Sequence, residues 1–281
     1  MPYSSSSGLI TVSYPSKPHL YAPLLFNTTT HEPYLPLPAP HAHIIITPPR
    51  DADAAVMATH LNDIEIAQWL SGPPYPYTLT DGENWVHRVA RPAVEKALNE
   101  MEEGFRRNGV GEIEDELPSD AELVERFISG CVVDSVREVR ADGTDVFIGN
   151  AGFRHCNTME LCEGATEDDK ERLEAENDAR PLGDPGILWT YGNYLAPTHH
   201  RQGITTVVLR ILINHWAVPK MNVRRMLCTA FKGNEGSIRV MQKNGFRFRE
   251  LRKNATCLRG EWRDLNVMEW EHAESRDGEG M

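Results

Sequence analysis

The sequence lacks the features that mark several large classes of protein. Its apolar runs fall well short of the ~20 residues needed to cross a membrane. The first 30 residues contain neither the basic start nor the apolar stretch of about 7–15 residues that a secretory signal requires. The loops G-x-S-x-G, G-x-G-x-x-G and G-x-x-x-x-G-K-[S/T] are absent, which argues against a serine hydrolase, a Rossmann-type dehydrogenase and a P-loop nucleotidase. We therefore expect a cytoplasmic or nucleocytoplasmic protein with no membrane partner.

Basic side chains and cysteine motifs are also scarce. The chain has 29 Lys and Arg against 41 Asp and Glu, a formal net charge of −12, so a nucleic-acid partner is not expected. The charge favours either a cationic substrate or simply a solvated acidic surface. The five cysteines are odd in number and show no C-x-x-C spacing; they are Cys131, Cys156, Cys162, Cys228 and Cys257. They predict reduced thiols, and because His199 and His200 have no third ligand at suitable spacing, no metal site is expected.

The length and composition favour one catalytic domain with additions. The 281 residues are 40% hydrophobic, enough for a sizeable core. Residues 1–40 are rich in serine and proline, which predicts an extension with little regular structure, part of which packs on the domain. The domain itself is predicted over 41–271, with insertions at about 91–128 and 157–185 and a disordered tail at 272–281. The acidic second insertion predicts an exposed helix near 166–179, either a solvated excursion or a lid that attracts basic substrates.

Residues 194–246 are the most informative part of the chain. A strand at 187–195 ends in a polar turn around Gly203, and apolar residues spaced three and four apart then predict a helix; they are Ile204, Val207, Val208, Ile211, Leu212 and Trp216. The first turn of such a helix presents unpaired N–H groups and the positive end of its dipole, which suits a phosphate. A second strand, 225–231, leads to Asn234 at an N-cap-like position and to a short helix that Gly245 ends.

The earlier part of the chain predicts the remaining elements of an α/β domain. A β-branched run predicts a strand at 43–47. Apolar periodicity and alternation predict helices at about 51–70, 81–90 and 93–107, and strands at about 129–138 and 146–154. The residues at 141–144 include Gly143 and predict the turn between these two strands, which therefore form an antiparallel hairpin.

Two motifs in the informative region resemble the GNAT N-acetyltransferase superfamily, and within it the RimJ/RimL type of ribosomal-protein N-terminal acetyltransferases. The stretch from His200 to Thr205 matches the acetyl-CoA loop Gln/Arg-x-x-Gly-x-Gly/Ala at Gly203, with His200 and Thr205 departing from it. The signature Asn-x-x-Ser-x-x-Val-x-x-Lys-x-Gly-Phe is matched in full; its residues are Asn234, Ser237, Val240, Lys243, Gly245 and Phe246. With similar segments at 61–85 and 260–270, the resemblance covers about residues 43–270.

The resemblance implies a fold and an activity. The fold would be α/β (α+β): a mixed, mostly antiparallel, twisted sheet with helices on both faces, in which the strands at 187–195 and 225–231 splay to form the acetyl-CoA cleft. The activity would be direct transfer of an acetyl group from acetyl-CoA, without a metal, to a primary amine on a small molecule or a protein N-terminus, by a monomer or homodimer. A non-catalytic acyl-CoA-binding or scaffold protein on this fold is the alternative.

The resemblance also assigns roles to residues. Cofactor contacts are expected from Tyr194, Leu195, Ala196, His200, Arg201, Gln202, Gly203, Ile204, Thr205, Thr206, Asn234 and Ser237. Leu195 would offer its backbone N–H to the oxyanion, Ser237 would protonate the leaving thiolate because Met241 replaces the tyrosine of many relatives, and Asn234 would position the cofactor or a water. The acceptor side is expected to include Trp85, Tyr77 and Tyr191. The general base stays open among Glu32, Asp81, Glu83, Glu261, Asp264, Tyr191 and His87.

Overall fold

The computed structural model describes residues 8–107, 127–157 and 167–273. Within them the strands are β1 Leu25–Phe26, β2 Pro33–Pro36, β3 Ile44–Thr47, β4 Ser135–Val139, β5 Asp145–His155, β6 Leu188–Leu195, β7 Arg225–Phe231, β8 Arg247–Leu258 and β9 Glu261–Glu271. The helices are α1 Asp53–His60, α2 Ile64–Ala67, α3 Leu79–Trp85, α4 Arg91–Arg107, α5 Glu167–Asp178, α6 Ile204–Leu212, α7 Val218–Met221 and α8 Glu235–Lys243. The π-helical turns Val86–Ala90 and Ile213–Ala217 join α3 to α4 and α6 to α7.

The strands form one nine-stranded sheet, which confirms the expected mixed α/β fold. Its order is β1-β2-β3-β4-β5-β6-β7-β9-β8. Every neighbouring pair is antiparallel except β6 and β7, which run parallel at the centre. A parallel pair needs a crossover, and α6 and α7 supply it. Among the described strands, this parallel pair is therefore the place where two strands end side by side, each followed by a helix.

Helices cover both faces of the sheet. The larger core joins the sheet to the buried sides of α4 and α6, including Leu98, Val208 and Leu212. A smaller core lies under α1 to α3, where Met57 and Val86 pack against Phe147 of β5. The face under α1 to α3 is called the α1 face below, and the opposite one the α6 face.

Several predicted boundaries are refined by local hydrogen bonds. The expected helix at 51–70 is interrupted because the side chain of Asp63 caps a new helix, α2, by accepting the N–H of Glu65 (2.9 Å). Helix α8 ends at Lys243, and two residues later Gly245 has the left-handed conformation that the sequence predicts, with a φ of +87°. The N–H of Phe246 donates to the carbonyl of Met241 (3.1 Å), the long bond of a Schellman motif.

The N-terminal extension contributes to the core. Ile10, Tyr21 and Leu24 are buried in the larger core, and β2 pairs with β3, so part of the extension packs on the domain as expected. Helix α4 occupies the start of the first predicted insertion, yet its side chains Val94 and Leu98 are fully buried. Residues 108–126 of that insertion, Cys162 and the end of the tail lie outside the described residues.

The acidic helix expected near 166–179 is present as α5. Most of its charged side chains are exposed, but Asn177 near its end is buried and its amide hydrogen-bonds both backbone groups of Leu188 (2.8 and 2.9 Å). None of the helices in the described ranges combines the length and the apolar character that crossing a membrane would demand.

Candidate active site

The parallel strands β6 and β7 separate soon after they begin. Their register contains only Leu188 opposite Arg225 and Trp189 opposite Met226. Beyond that point the N–H of Tyr191 donates to the Sγ of Cys228 (3.3 Å) instead of to a backbone carbonyl. The strands therefore diverge toward their carboxyl ends and leave a wedge-shaped cleft in the middle of the sheet.

Backbone amides of β6 point into this cleft. The N–H of Ala196 donates to the carbonyl of Ile148 (2.7 Å), on the β5 side of the strand, whereas the N–H of Tyr191 faces β7. Because successive amides of a strand alternate in direction, those of Asn193 and Leu195 face the cleft. The backbone N–H of Leu195, which the sequence predicts as the oxyanion donor, can therefore donate a hydrogen bond to a carbonyl oxygen in the cleft.

The turn after β6 has the geometry of an anion-binding helix start. Gly203 caps α6 with a φ of +82°, and Arg201 also has a positive φ of 61°. The first bond of the helix runs from the N–H of Val207 to the carbonyl of Gly203 (3.2 Å), so the amides of residues 204–206 precede the helical ladder. These are the amides expected to hold a pyrophosphate.

Two histidines shape this turn. The Nε2 of His200 lies 2.7 Å from the carbonyl oxygen of Leu195, so its imidazole holds the end of β6. His41, from the turn between β2 and β3, places its Nε2 3.9 Å from where a Cβ on Gly203 would stand. The sequence pattern gives no sign of His41, because only the folded turn between β2 and β3 brings it beside the loop.

The start of α8 closes the wide end of the cleft. Asn234 caps the helix by accepting the N–H of Ser237 on its Oδ1 (3.1 Å). This bond uses the backbone of Ser237, whose half-buried hydroxyl makes no hydrogen bond with the described residues. Asn234 therefore acts as a helix cap, and the Ser237 hydroxyl remains available for chemistry.

An aromatic and cationic wall borders the cleft on the α1 face. Trp69, just after α2, places a ring atom 3.8 Å from where a Cβ on Gly233 would stand, next to Asn234. The Arg263 guanidinium lies 5.8 Å from the centroid of the Trp69 ring and 5.1 Å from that of Phe231, at the end of β7. The sequence gives no local sign of this wall, because its members are far apart in the chain.

The floor beside β6 on the α1 face is open. Gly152 of β5 pairs with Gly192 of β6, and a Cβ on Gly192 would meet nothing within 4 Å. Asp134 borders the floor, with its Cβ 3.9 Å from where a Cβ on Gly152 would stand. Glycines inside strands are a signal of close approach to the backbone, and this signal could have located the floor from the sequence.

Asp134 has an unusual protonation equilibrium. Burial raises its pKa to about 6, against hydrogen bonds from Ser135 and Asn150 and the charge of Arg137, which lower the pKa. The Ser135 hydroxyl donates to its carboxylate at 2.9 Å. A carboxyl group that is ionised at neutral pH but still basic is suited to accept a proton.

The aromatic residues that the sequence predicts for the acceptor side do not belong to this wall. Tyr77 is buried in the smaller core, where Asn62 holds its backbone and burial raises its pKa to about 12. Trp85 stands on the exposed outer side of α3. Tyr191 lies at the cleft on the α6 face; its buried hydroxyl has no hydrogen-bond partner among the described residues, and burial raises its pKa.

Most of the candidate bases are engaged or exposed. Glu32 is buried in an ion pair with Arg50, and the side-chain hydrogen bond from Thr78 lowers the pKa of Asp81. Backbone and side-chain hydrogen bonds from Asn254 and Lys232 lower the pKa of Asp264. The remaining side chains, Glu83, Glu261 and His87, are exposed. In the ranges that the structure describes, histidine, cysteine and acidic side chains form no group that could hold a metal ion.

A sequence model of the acetyltransferase (GNAT) domain matches residues 43–247. No curated protein sequence matches the chain significantly.

Solved structures show the same fold at low sequence identity. An acetyltransferase of the GNAT family from Bacillus anthracis aligns with a TM-score of 0.52 and 12% identity, over 85% of this chain and 98% of that one. The ribosomal-protein-S5-alanine acetyltransferase from Vibrio fischeri gives 0.50 and 15%, over 83% and 94%. The ribosomal L7/L12 alpha-N-protein acetyltransferase RimL gives 0.52 and 13%, over 89% and 99%. At these identities the likeness concerns the fold.

Proposed function

Because this chain belongs to the GNAT acetyltransferase family, we propose that it transfers an acetyl group from acetyl-CoA directly to a primary amine. The observation that carries the proposal is the cleft between β6 and β7, which opens toward the first turn of α6. An elongated thiol cofactor with a pyrophosphate fits a cleft that joins open backbone amides to a helix N-terminus.

The residues that would hold acetyl-CoA follow from this arrangement. The turn at 200–206 would hold the pyrophosphate through its amides, with Arg201 as an exposed cation beside it. The cleft-facing amides of Asn193 and Leu195 would hydrogen-bond the cofactor's arm and its acetyl oxygen. The unpartnered hydroxyl of Tyr191 also suits a polar occupant, because a buried hydroxyl without a partner costs free energy.

The reaction requires two proton movements. Bound acetyl-CoA would supply an acetyl group activated as a thioester, whose C–S bond breaks as the new C–N bond forms. The amine must lose a proton, and the leaving thiolate must gain one. Ser237 is proposed to donate to the sulfur, since its hydroxyl is free of other hydrogen bonds in the described part of the chain, while Asn234 orients it by capping the helix.

We propose Asp134 as the general base. It would act across the open floor formed by Gly152 and Gly192. Its position supports this assignment, because it lies on the α1 face, opposite the helix that receives the phosphates. An acceptor amine can reach the cleft from this face while the cofactor occupies the other. The base would accept the proton directly or through one water.

The acceptor is proposed to be a small-molecule amine or a protein N-terminus. The signature around Ser237 favours the RimJ/RimL type, and the fold likeness to RimL agrees with it without identifying the acceptor. A cytoplasmic or nucleocytoplasmic location and a monomeric or homodimeric state are proposed from the sequence alone.

Calorimetric titration of acetyl-CoA and of free CoA into the purified protein tests the cofactor, and a thiol-release assay over amines and N-terminal peptides tests the reaction. We expect a dissociation constant near the micromolar range and release of thiol with at least one amine class. Binding without thiol release from any amine would support the non-catalytic acyl-CoA-binding alternative. Absence of binding to the folded protein would overturn the proposal.

A further inference from the structure

Arg263 is a half-buried cation without an acidic partner among the described residues. Its guanidinium packs between the rings of Trp69 and Phe231, at 5.8 and 5.1 Å from their centroids. The face of a guanidinium can rest on aromatic rings while its N–H edge stays free to donate. The wall therefore holds a positive charge in a fixed position with its hydrogen-bonding edge unused.

Four other buried or half-buried arginines each meet a carboxylate, and a fifth, Arg224, uses its guanidinium on Asn222 (2.7 Å) and His272 (2.9 Å). Arg50 meets Glu32 and Asp145, and Arg91 meets Asp51. Arg137 meets Asp53, and Arg252 meets Glu250, each at 2.6 Å. In these cases the desolvated charge has a carboxylate against it, as expected for buried ions.

A second arginine adds positive charge near Arg263, whereas the nearby Lys232 is paired with a carboxylate. Arg259, in the turn between β8 and β9, stacks on Tyr75 at 4.1 Å and donates to the carbonyl of Ala67 (2.9 Å). Lys232 follows Phe231 and pairs with Asp264 at 3.3 Å. The formal net charge of the whole chain is −12, so this cationic wall contrasts with the molecule as a whole.

The wall is continuous with the proposed reaction centre. A ring atom of Trp69 lies 3.8 Å from where a Cβ on Gly233 would stand. The residue after Gly233 is Asn234, which caps the helix that carries Ser237. The wall and the floor at Gly192 both lie on the α1 face, from which the acceptor would approach.

We propose that Arg263 binds an anionic group, a carboxylate or a phosphate, on the amine that is acetylated. The inference rests on the proposed function and specifies its acceptor: a molecule or peptide N-terminus with an anion a few bonds from the amine. The fork of N–H donors on a guanidinium matches both oxyanions. The anion would rest on the wall while the amine faces Asp134 across the floor.

Matched pairs of acceptors test this. Each pair differs only in the anion: an amino acid and its amide, an aminoalkyl phosphate and the corresponding amino alcohol, and peptides with Asp or Asn at the second position. The kcat/KM ratio within each pair is measured with wild type, Arg263→Gln and Arg263→Lys. Arg249→Gln is the control, because Arg249 is an exposed arginine of β8 that pairs with Glu269 (3.3 Å) away from the wall.

We expect wild type to prefer the anionic member of at least one pair, and the pairs show whether the anion is a carboxylate or a phosphate. Arg263→Gln should lower that preference about 10- to 100-fold through KM, the range expected for a hydrogen bond to a charged group. Arg263→Lys should restore part of the preference, and Arg249→Gln should keep all of it.

Two results would overturn the inference while leaving the proposed function intact. One is thiol release without preference for the anionic member of any pair. The other is a preference that survives Arg263→Gln. Absence of acetyl-CoA binding or of transfer to every acceptor would instead refute the proposed function, and the assignment of Arg263 with it.

Discussion

At Ser237, helix capping and the proposed chemistry use different atoms of one residue. Its backbone N–H completes the cap with Asn234, and its hydroxyl makes no hydrogen bond with described residues. Ser237→Ala should therefore leave the fold intact while lowering kcat about 100-fold, the scale of a lost general acid. Calorimetry should show acetyl-CoA affinity within about twofold of wild type.

Ser129→Ala is the control for this change, because Ser129 is also half-buried and contacts Glu100 through its backbone N–H. Equal turnover of Ser237→Ala at saturating acetyl-CoA would remove the hydroxyl from the mechanism.

The raised pKa of Asp134 predicts a pH dependence of the reaction. A base acts when it is ionised, so the contribution of Asp134 to kcat/KM should rise through the pKa of about 6 and then level off. The titration of the acceptor amine cancels in the ratio of wild type to Asp134→Asn, measured on one acceptor. This ratio should be near one well below pH 6 and about 100 above it.

The same shift has the opposite effect on stability. Because the folded-state pKa lies above the ordinary aspartate value of 3.8, the stabilisation linked to Asp134 is complete below that value and is lost as pH rises through about 6. Above pH 6, Asp134→Asn should therefore unfold no more easily than wild type in urea. A parallel loss of stability and activity would indicate a structural role for Asp134.

At the scale of elements, the proposed role of the turn before α6 in cofactor binding can be tested with a second turn as control, because both turns contain a glycine with nearly the same positive φ. Gly203 and Gly143 have φ values of +82° and +83°, and in neither case would a Cβ meet an atom closer than 3.9 Å. Valine at either position should lower the free energy of unfolding by at least about 1 kcal/mol, since a side chain disfavours this conformation. Only Gly203→Val should also weaken acetyl-CoA binding, by tenfold or more in calorimetry.

If both valine variants, or neither, lost cofactor affinity, the turn at 200–206 would not be the pyrophosphate site.

Local sequence predicts some of these elements well and others poorly. The turn at 200–206, helix α6 and the end of α8 are predicted by apolar spacing, glycines and capping residues that lie close together in the chain. The wall around Arg263 could not be predicted this way, because Trp69 and Arg263 meet only after the whole sheet has formed between them. Tyr77 shows the converse: its place in an aromatic segment suggested an acceptor contact, but its side chain fills the smaller core.

At the scale of the whole molecule, a buried carboxylate of α4 helps to hold the N-terminal extension. Glu102 of α4, only 2% exposed, accepts the N–H (2.9 Å) and hydroxyl (2.7 Å) of Ser13 and the hydroxyl of Tyr21 (2.9 Å). These bonds join the start of the described chain to a helix of the larger core. The end of the extension leads directly into His41, which lies beside Gly203 in the turn at 200–206.

Glu102→Ala should therefore destabilise the protein and loosen the extension. Removing the carboxylate leaves buried donors without acceptors, which should lower the free energy of unfolding by about 2–4 kcal/mol. Glu103→Ala is the control, because Glu103 is its exposed neighbour with only a 4.0 Å ion pair to Arg107. Urea unfolding gives the stability, and limited proteolysis should cut the Glu102→Ala variant faster within residues 8–24. Equal losses in the two variants would show that apolar burial of Ile10, Tyr21 and Leu24 is sufficient to hold the extension against the core.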